Sequence, residues 1–436
     1  MIKSCTLLYH FILAMRNAFP LLMLLLATAS AEWICLIKNG RIQDSALPNL
    51  LVQGIVVKSL QHYTSSSMIT VDSTTQNPLE EQALVRLVKA SCSKHRNDAD
   101  ILVARNSKIR LSSSSSSSAW DLDRIDQRSL PLDQSFTLGN GVDGRGVTIY
   151  SVDTGILVGD PEFGGRASTL YSAFSSTVDD NGHGSATAAL AMGVTYGAAK
   201  QARLVALKVL DHTGHGDVAG VVAGFQHVLD HLTLPAVMVL SWQLTEGYYN
   251  TVLNATIQQL VDRNVTVYAS AGNNKKDGCE TYPAAFNNVV SVGGTDENDR
   301  LSSFSNYGLC VDLYAPATNV TSLHGTRYSG TSFAAPRVAA IAATVLQQNP
   351  KLSSDELVTI LTRDATVNAI KNLPSGSYNR LLYARPRAFG GSRLDTLQPS
   401  ASLAFFLSPS PFCVVVFFFF LFFFFSSSAT ATGVLM

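Results

Sequence analysis

Through the middle of the chain, short apolar runs alternate with longer segments in which apolar residues recur at helical spacing. Val147 to Val152, Leu204 to Val209, Ala236 to Leu240, Val265 to Ala269, Val289 to Val292 and Val311 to Tyr314 read as strands. Ala186 to Met192, Val218 to His231, Thr251 to Arg263, Ser332 to Gln348 and Ser353 to Thr362 read as helices. Strands with little polar alternation, interleaved with helices, predict an α/β fold. Its central sheet is mainly parallel, with helices on both faces, because only such a sheet buries both sides of its strands. In such folds chemistry collects at the carboxyl ends of the strands.

The two ends of the chain follow other patterns. Leu21 to Ala27 is an apolar run preceded by Arg16 and followed by Ala29-Ser30-Ala31, so residues 1–31 read as a signal peptide, with Met15 as a second possible start. The alternative, a membrane anchor, would need a longer run. Residues 32–111 mix strands (Trp33 to Ile37, Val52 to Val57, Ile101 to Ala104) with a helix over Pro78 to Ala90, and predict a small α+β unit. Ser112 to Ser118 is an uninterrupted serine run, expected to be a flexible, protease-accessible linker over residues 112–118. Residues 119–386 carry the α/β pattern. Residues 387–436 form a low-complexity apolar tail, whose run Phe412 to Phe425 is short for a membrane span. A membrane-associated tail is the alternative there.

Lys plus Arg and Asp plus Glu both number 32, so the net charge is zero and gives no reason to expect a nucleic-acid partner. The low charged fraction, 15%, owes part of its value to the apolar ends. Of six cysteines, only Cys279 and Cys310 fall in the α/β segment. A disulfide between them suits an oxidising compartment, and two separate thiols are the alternative. Three glycosylation sequons begin at Asn254, Asn264 and Asn319, in keeping with a secreted glycoprotein.

Three short segments carry candidate chemistry: Asp153-Thr154-Gly155, Asn181-Gly182-His183-Gly184-Ser185 and Gly330-Thr331-Ser332-Phe333-Ala334-Ala335-Pro336. A serine hydroxyl is a weak nucleophile at neutral pH. It needs an imidazole to take its proton and a carboxylate to hold that imidazole in one tautomer. Ser332 is the candidate nucleophile, at the start of an apolar helix whose free N–H groups favour developing negative charge. A simple N-capping serine is its structural alternative. His183 is the candidate base; a metal site is the alternative, but no His-x-x-x-His or Cys-x-x-Cys pattern is read in support of zinc. Asp153 is the candidate orienting carboxylate. Asp-Thr-Gly also marks aspartic proteases, but a single-chain member would usually show it twice. Asn273, in Ala271-Gly272-Asn273-Asn274, is the candidate oxyanion donor beside the backbone N–H of Ser332; a turn asparagine is the alternative.

These residues resemble those of the subtilisin-like serine proteases, most closely the branch of proteinase K and aqualysin. The resemblance runs from Trp120 to Tyr383. It includes Leu122-Asp123-Arg124-Ile125-Asp126, Lys208-Val209-Leu210-Asp211, Ser302-Ser303-Phe304-Ser305-Asn306-Tyr307-Gly308, Cys310-Val311-Asp312-Leu313 and Asn379-Arg380-Leu381-Leu382-Tyr383. The order Asp, His, Ser is the known order of subtilisin itself. The resemblance implies a secreted serine endopeptidase, working through an acyl-enzyme on protein or peptide substrates and made as a zymogen. Substrate would lie extended between Gly214-His215-Gly216 and Ser241-Trp242-Gln243, with Ser270-Ala271-Gly272 walling the pocket for the residue before the scissile bond. Residues 32–111 would be an inhibitory propeptide, cut off near Ser112 to Trp120. Cys279 and Cys310 would pair. No cofactor is needed for catalysis, but a structural calcium would sit on Asp312 and the carbonyls of Asn287 and Val289. The enzyme is expected to act as a monomer.

The sequence departs from the family at three positions. Gln243 stands where a glycine is usual, Ala186 where a second histidine is usual, and Arg337 where a histidine follows the proline of the nucleophile motif. A non-catalytic, peptide-binding member of the same fold is therefore the alternative. An α/β-hydrolase is not, because it needs a Gly-x-Ser-x-Gly elbow and the order Ser, acid, His.

Overall fold

The apolar runs of the middle of the chain line up side by side. The structure, a computed structural model, describes residues 33–38, 56–62, 66–72, 101–110, 114–115, 120–245 and 249–385. The expected signal peptide, the helix over Pro78 to Ala90 and the tail from residue 387 lie outside the described residues.

Four strands near the start, β1 (Trp33–Lys38), β2 (Val56–His62), β3 (Ser66–Asp72) and β4 (Ile101–Arg105), form an antiparallel sheet in the order β2-β3-β1-β4. β3 was not anticipated, because its serines and threonines blur the apolar pattern. Two short strands follow, β5 (Lys108–Arg110) and β6 (Ser114–Ser115).

The large sheet is built from β7 (Thr148–Asp153), β8 (Ala167–Ser172) and β9 (Arg203–Lys208), then, past the short β10 (His215–Asp217), β11 (Ala236–Leu240). After β12 (Gln243–Leu244) come β13 (Val265–Ser270), β14 (Val290–Thr295) and β15 (Leu313–Pro316). β16 (Val320–Thr321) and β17 (Arg327–Ser329) form a ribbon, and β18 (Thr366–Val367) and β19 (Arg380–Leu381) close the large sheet. Its order is β18-β19-β15-β14-β13-β11-β7-β9-β8, parallel except between β18 and β19. β7, β11 and β13 are buried at every residue, which is why they read as apolar runs. The edge strand β8 is half-buried and polar, so its pattern gave no signal.

Among the described residues, five helices cover this sheet: α1 (His183–Met192), α2 (Val218–Asp230), α3 (Thr251–Val261), α4 (Thr331–Gln348) and α5 (Ser354–Asp364). α2 and α3 pack on each other and on one face, where Val221, Phe225, Ile257 and Leu260 meet Val152, Met238, Leu240 and Val267. The small sheet lies against the same pair of helices, with Met68 and Ala104 in that cluster. α1 and α4 pack together, and α4 runs across β11, β13, β14 and β15. α1 is buried at all ten residues, so it is a core helix rather than an amphipathic one. Among the described residues, no helix is long and apolar enough to cross a membrane.

Parallel strands put all their carboxyl ends on one edge. Asp153 ends β7, Ser241 follows β11 and Asn273 lies three residues beyond β13. From β7 the chain moves out through β8 and β9 on one side, and through β11 to β15 on the other. This reversal opens the crevice in which ligands of such sheets bind.

Candidate active site

Asp153 is held by burial and by hydrogen bonds. The residue is 1% exposed, and Thr154 N–H donates to Oδ1 at 2.7 Å. His183 Nδ1 lies 2.8 Å from Oδ1 and 3.0 Å from Oδ2. Facing a carboxylate, Nδ1 must carry a proton, which leaves the Nε2 lone pair to accept one. Nε2 is buried and has no partner among the described residues.

His183 begins α1, two residues earlier in the helix than Ser185 and on a turn set by Gly182 at φ +94°. The close approach of this turn to β7 needs Gly184. A Cβ there would lie 2.2 Å from the Gly155 carbonyl and 3.2 Å from Asp153 Cβ. Asp179, not singled out from the sequence, ties the turn together. Its Oδ1 accepts from Thr154 Oγ1 at 2.8 Å and Gly182 N–H at 2.8 Å, and its Oδ2 from Ser185 N–H at 2.8 Å and Ser185 Oγ at 2.6 Å. Lys208, quoted above only as part of a resembling segment, has a role there too. Its buried ammonium donates to the Thr154 carbonyl (2.6 Å), the Leu210 carbonyl (3.1 Å) and Asp180 (2.7 Å). That hydrogen bond holds the Asp180 carboxyl below its ordinary pKa. The signal that marked Asp179 was available: an acid in a polar turn four residues before the histidine.

Ser332 is the second residue of α4 and is 1% exposed. Its Oγ donates to the Ser241 carbonyl at 3.0 Å, and Ser241 Oγ donates to the Ser332 carbonyl at 2.9 Å. The second bond has a cause in the sequence. Pro336 has no N–H to offer the carbonyl four residues back, and Ser241 supplies a donor in its place. Phe333 packs on the His183 ring with centroids 5.3 Å apart. Asn273 Oδ1 accepts from Thr331 N–H at 2.9 Å and Thr331 Oγ1–H at 2.8 Å, and Gly272 N–H donates to Thr331 Oγ1 at 3.2 Å. Asp153, His183 and Ser332, on three different elements, and Asn273, in the loop after β13, are thus brought together through adjoining hydrogen bonds and a ring contact.

Beside them runs a three-stranded antiparallel sheet, β10-β5-β12. Arg110 pairs with His215 and with Gln243; Ile109 pairs with Gly216 and with Leu244. Gly214, at φ +77°, makes the turn into β10. Gly216 lets β10 approach the end of β9, since a Cβ there would meet the Val209 carbonyl at 2.1 Å. Farther along, Ser114–Ser115 pairs with Tyr328–Ser329, just before the nucleophile motif. The serine run, expected to be a linker, therefore contains a paired strand.

Of the other anticipated substrate residues, Trp242 has its indole in the core, donating to the Val152 carbonyl at 3.1 Å. Ser270 and Ala271 are buried behind Gly272, which sits at φ +102°. Gln243 is 6% exposed, and its Oε1 is buried without a partner among the described residues. Ala186 fills an apolar cluster with Trp120, Leu190, Val320 and Phe333. Arg337 is fully buried and paired with Asp121, and it donates to the carbonyls of Leu190 (2.8 Å) and Tyr196.

Cys279 and Cys310 form a disulfide. Asp312 Oδ2 accepts from Ser291 N–H at 2.8 Å, and burial raises its carboxyl pKa. Among the described residues no three His, Cys, Asp or Glu side chains cluster as metal ligands. A His-x-x-x-His spacing that the sequence reading overlooked occurs at His227 and His231 on α2. Those rings stack on each other, centroids 6.3 Å apart.

Comparison with known proteins agrees with this geometry. The profile of the Subtilase family matches residues 144–384. An extracellular serine proteinase of Thermus sp. is 39% identical over 290 residues, 64% of this chain and 70% of that protein. Alkaline serine exoprotease A of Vibrio alginolyticus is 35% identical over 294 residues, 66% of this chain and 54% of that protein. A cold adapted subtilisin-like serine proteinase, known from its crystal structure, superposes with a TM-score of 0.58 at 39% identity, over 62% of this chain and 99% of its own. With the family profile matched over more than half of its length, the chain belongs to the subtilase family and is a subtilisin-like serine protease.

Proposed function

We propose that Asp153, His183 and Ser332 form the catalytic triad of this protease, and that the chain is made as a zymogen that cuts itself. His183 Nε2 takes the Ser332 proton as Oγ attacks the scissile carbonyl, and Asp153 stabilises the imidazolium that results. A turn about the Ser332 Cα–Cβ bond exchanges the Ser241 carbonyl for Nε2 as the acceptor. Such tightening is common when substrate binds. Ser332 N–H and the Asn273 amide hold the oxyanion of the tetrahedral intermediate. Collapse of that intermediate gives the acyl-enzyme, with His183 returning the proton to the leaving amine.

One observation carries the zymogen reading. β5, from the chain's own N-terminal part, lies as the middle strand between β10 and β12, where an extended substrate would lie. β6 lies against β17, the strand that ends three residues before Ser332. The bond facing the nucleophile then falls between Arg110 and Ser114. Residues 32–111 act in this reading as an intramolecular inhibitor, removed by that cut.

Secretion is supported by the signal-like N-terminus, the disulfide and the extracellular relative. Calcium fits at Asp312. Its carboxylate is partly buried and its charge is penalised there, so an added cation would offset that cost; the resemblance supplies the carbonyls of Asn287 and Val289 as the other, all-oxygen ligands.

The test is expression of the chain in an oxidising host, as wild type and as Ser332→Ala, with intact mass followed over time. Wild type should shorten at a bond between Arg110 and Ser114 while Ser332→Ala stays full length. If both remain intact though folded, the peptide-binding alternative replaces this reading.

A further inference from the structure

Gln243 is placed to read the substrate residue that precedes the scissile bond. It lies on β12, which pairs with β5, two residues after Ser241, the partner of Ser332 Oγ. Across from it is Gly272, whose N–H binds Thr331, the neighbour of Ser332. A Cβ on Gly272 would lie 3.0 Å from Gln243 Oε1. On the same side, Gln243 Nε2 reaches Asn274 Oδ1 at 3.4 Å, a long contact. The glutamine side chain thus spans the gap between the strand that holds the substrate-like segment and the Gly272–Asn274 wall. Both walls of that gap are anchored to the nucleophile's own turn.

The amide brings an acceptor into this gap. Oε1 is buried and has no partner among the described residues, on a residue only 6% exposed. A buried carbonyl left unpaired is costly, so the site favours a ligand that donates to it. We infer that Gln243 makes this a shallow pocket ending in a hydrogen-bond acceptor. The protease would then cut after small hydroxyl-bearing residues, serine and threonine, in preference to large apolar ones. A large apolar side chain meets two penalties here: the glutamine occupies its space, and Oε1 stays unpaired against it. The chain's own sequence agrees, since the stretch between Arg110 and Ser114 reads Leu111-Ser112-Ser113. This inference rests on the proteolytic reading above.

The test uses the self-cleaved enzyme and peptides acetyl-Ile-Arg-Leu-X-p-nitroanilide, with X as Ser, Thr, Ala, Leu or Phe. For wild type, kcat/KM with Ser or Thr should exceed that with Phe by about tenfold or more, the range set by a pocket of wrong size or an unpaired polar group. Gln243→Gly should raise kcat/KM for Phe by about tenfold or more, lower it for Ser, and so reverse the order. Mapping by mass spectrometry of the bonds that wild type cuts in unfolded casein checks the same preference without a variant. Cuts mainly after Leu, Phe or Tyr, or a uniform change across the peptide series in Gln243→Gly, would overturn the inference while leaving the protease reading intact. Casein and every peptide left uncut would overturn both.

Discussion

Asn273 shows how one neighbour decides what a side chain can do. A backbone N–H only donates, so Thr331 N–H fixes Oδ1 as the end of the amide that faces it. The NH2 end is then the one that donates elsewhere. Replacing Asn273 with alanine should lower kcat by about 10²–10³-fold with little change in KM, as steady-state kinetics on a peptide anilide would report. That is the loss known for removal of the oxyanion-hole asparagine of subtilisin. An unchanged kcat would remove Asn273 from the oxyanion site. Asp153, His183, Asn273 and Ser332 were legible as residues because each stands in a short glycine-bearing motif. The roles of Asp179, Thr331 and Lys208 were not legible, although Thr331 and Lys208 stand inside quoted segments and Asp179 is an acid in a polar turn, because what a holding residue does depends on partners that only folding brings to it. Trp242 was expected to face substrate, but its indole turns into the core, and the direction of a side chain depends on the packing around it.

At the scale of elements, α5 carries the clearest local code. Ser353 caps it and Glu356 closes the capping box, its Oε2 accepting from Ser353 N–H at 2.8 Å. That main-chain donor, with the Ser353 hydroxyl second, holds the Glu356 carboxyl below its ordinary 4.5. A depressed carboxyl pKa stabilises the fold above the unfolded value and ceases to do so as pH falls through the folded one. The advantage of wild type over Glu356→Gln in urea midpoint should therefore be present at about pH 6 and fade below about 4.5. A gap that is constant with pH would mean that the carboxylate charge plays no part. The helices and the buried strands were readable for the same reason as this cap: burial on both faces, or a cap with its partner three residues on, is written locally. β6 was not. Serines have no reason to form a strand on their own, and Ser114–Ser115 does so because β17 offers an open edge.

At the scale of the whole molecule, the N-terminal segment and the α/β segment share one cluster. Ile109 has no exposed surface and joins Val209, Val218 and Phe225 in it. Trimming Ile109 to alanine should cost about 3 kcal/mol of that contact, roughly a hundredfold in how tightly the cleaved segment is held. The lag between the appearance of the cleaved band and of proteolytic activity should shorten accordingly in Ile109→Ala. An unaltered lag would mean that β5 does not restrain the enzyme. The amino-acid sequence by itself determined the α/β class, the order of most buried strands and helices, and the four residues of the candidate chemistry. Burial periodicity and short turn motifs are both local, so one chain suffices to read them. Only the tertiary structure decided that β5 lies between β10 and β12, that Arg337 finds Asp121, and that Gln243 places a bare carbonyl beside Gly272. Each of these joins residues far apart in the chain, and such pairings are chosen by packing and by the need to satisfy buried polar groups, which no local pattern records.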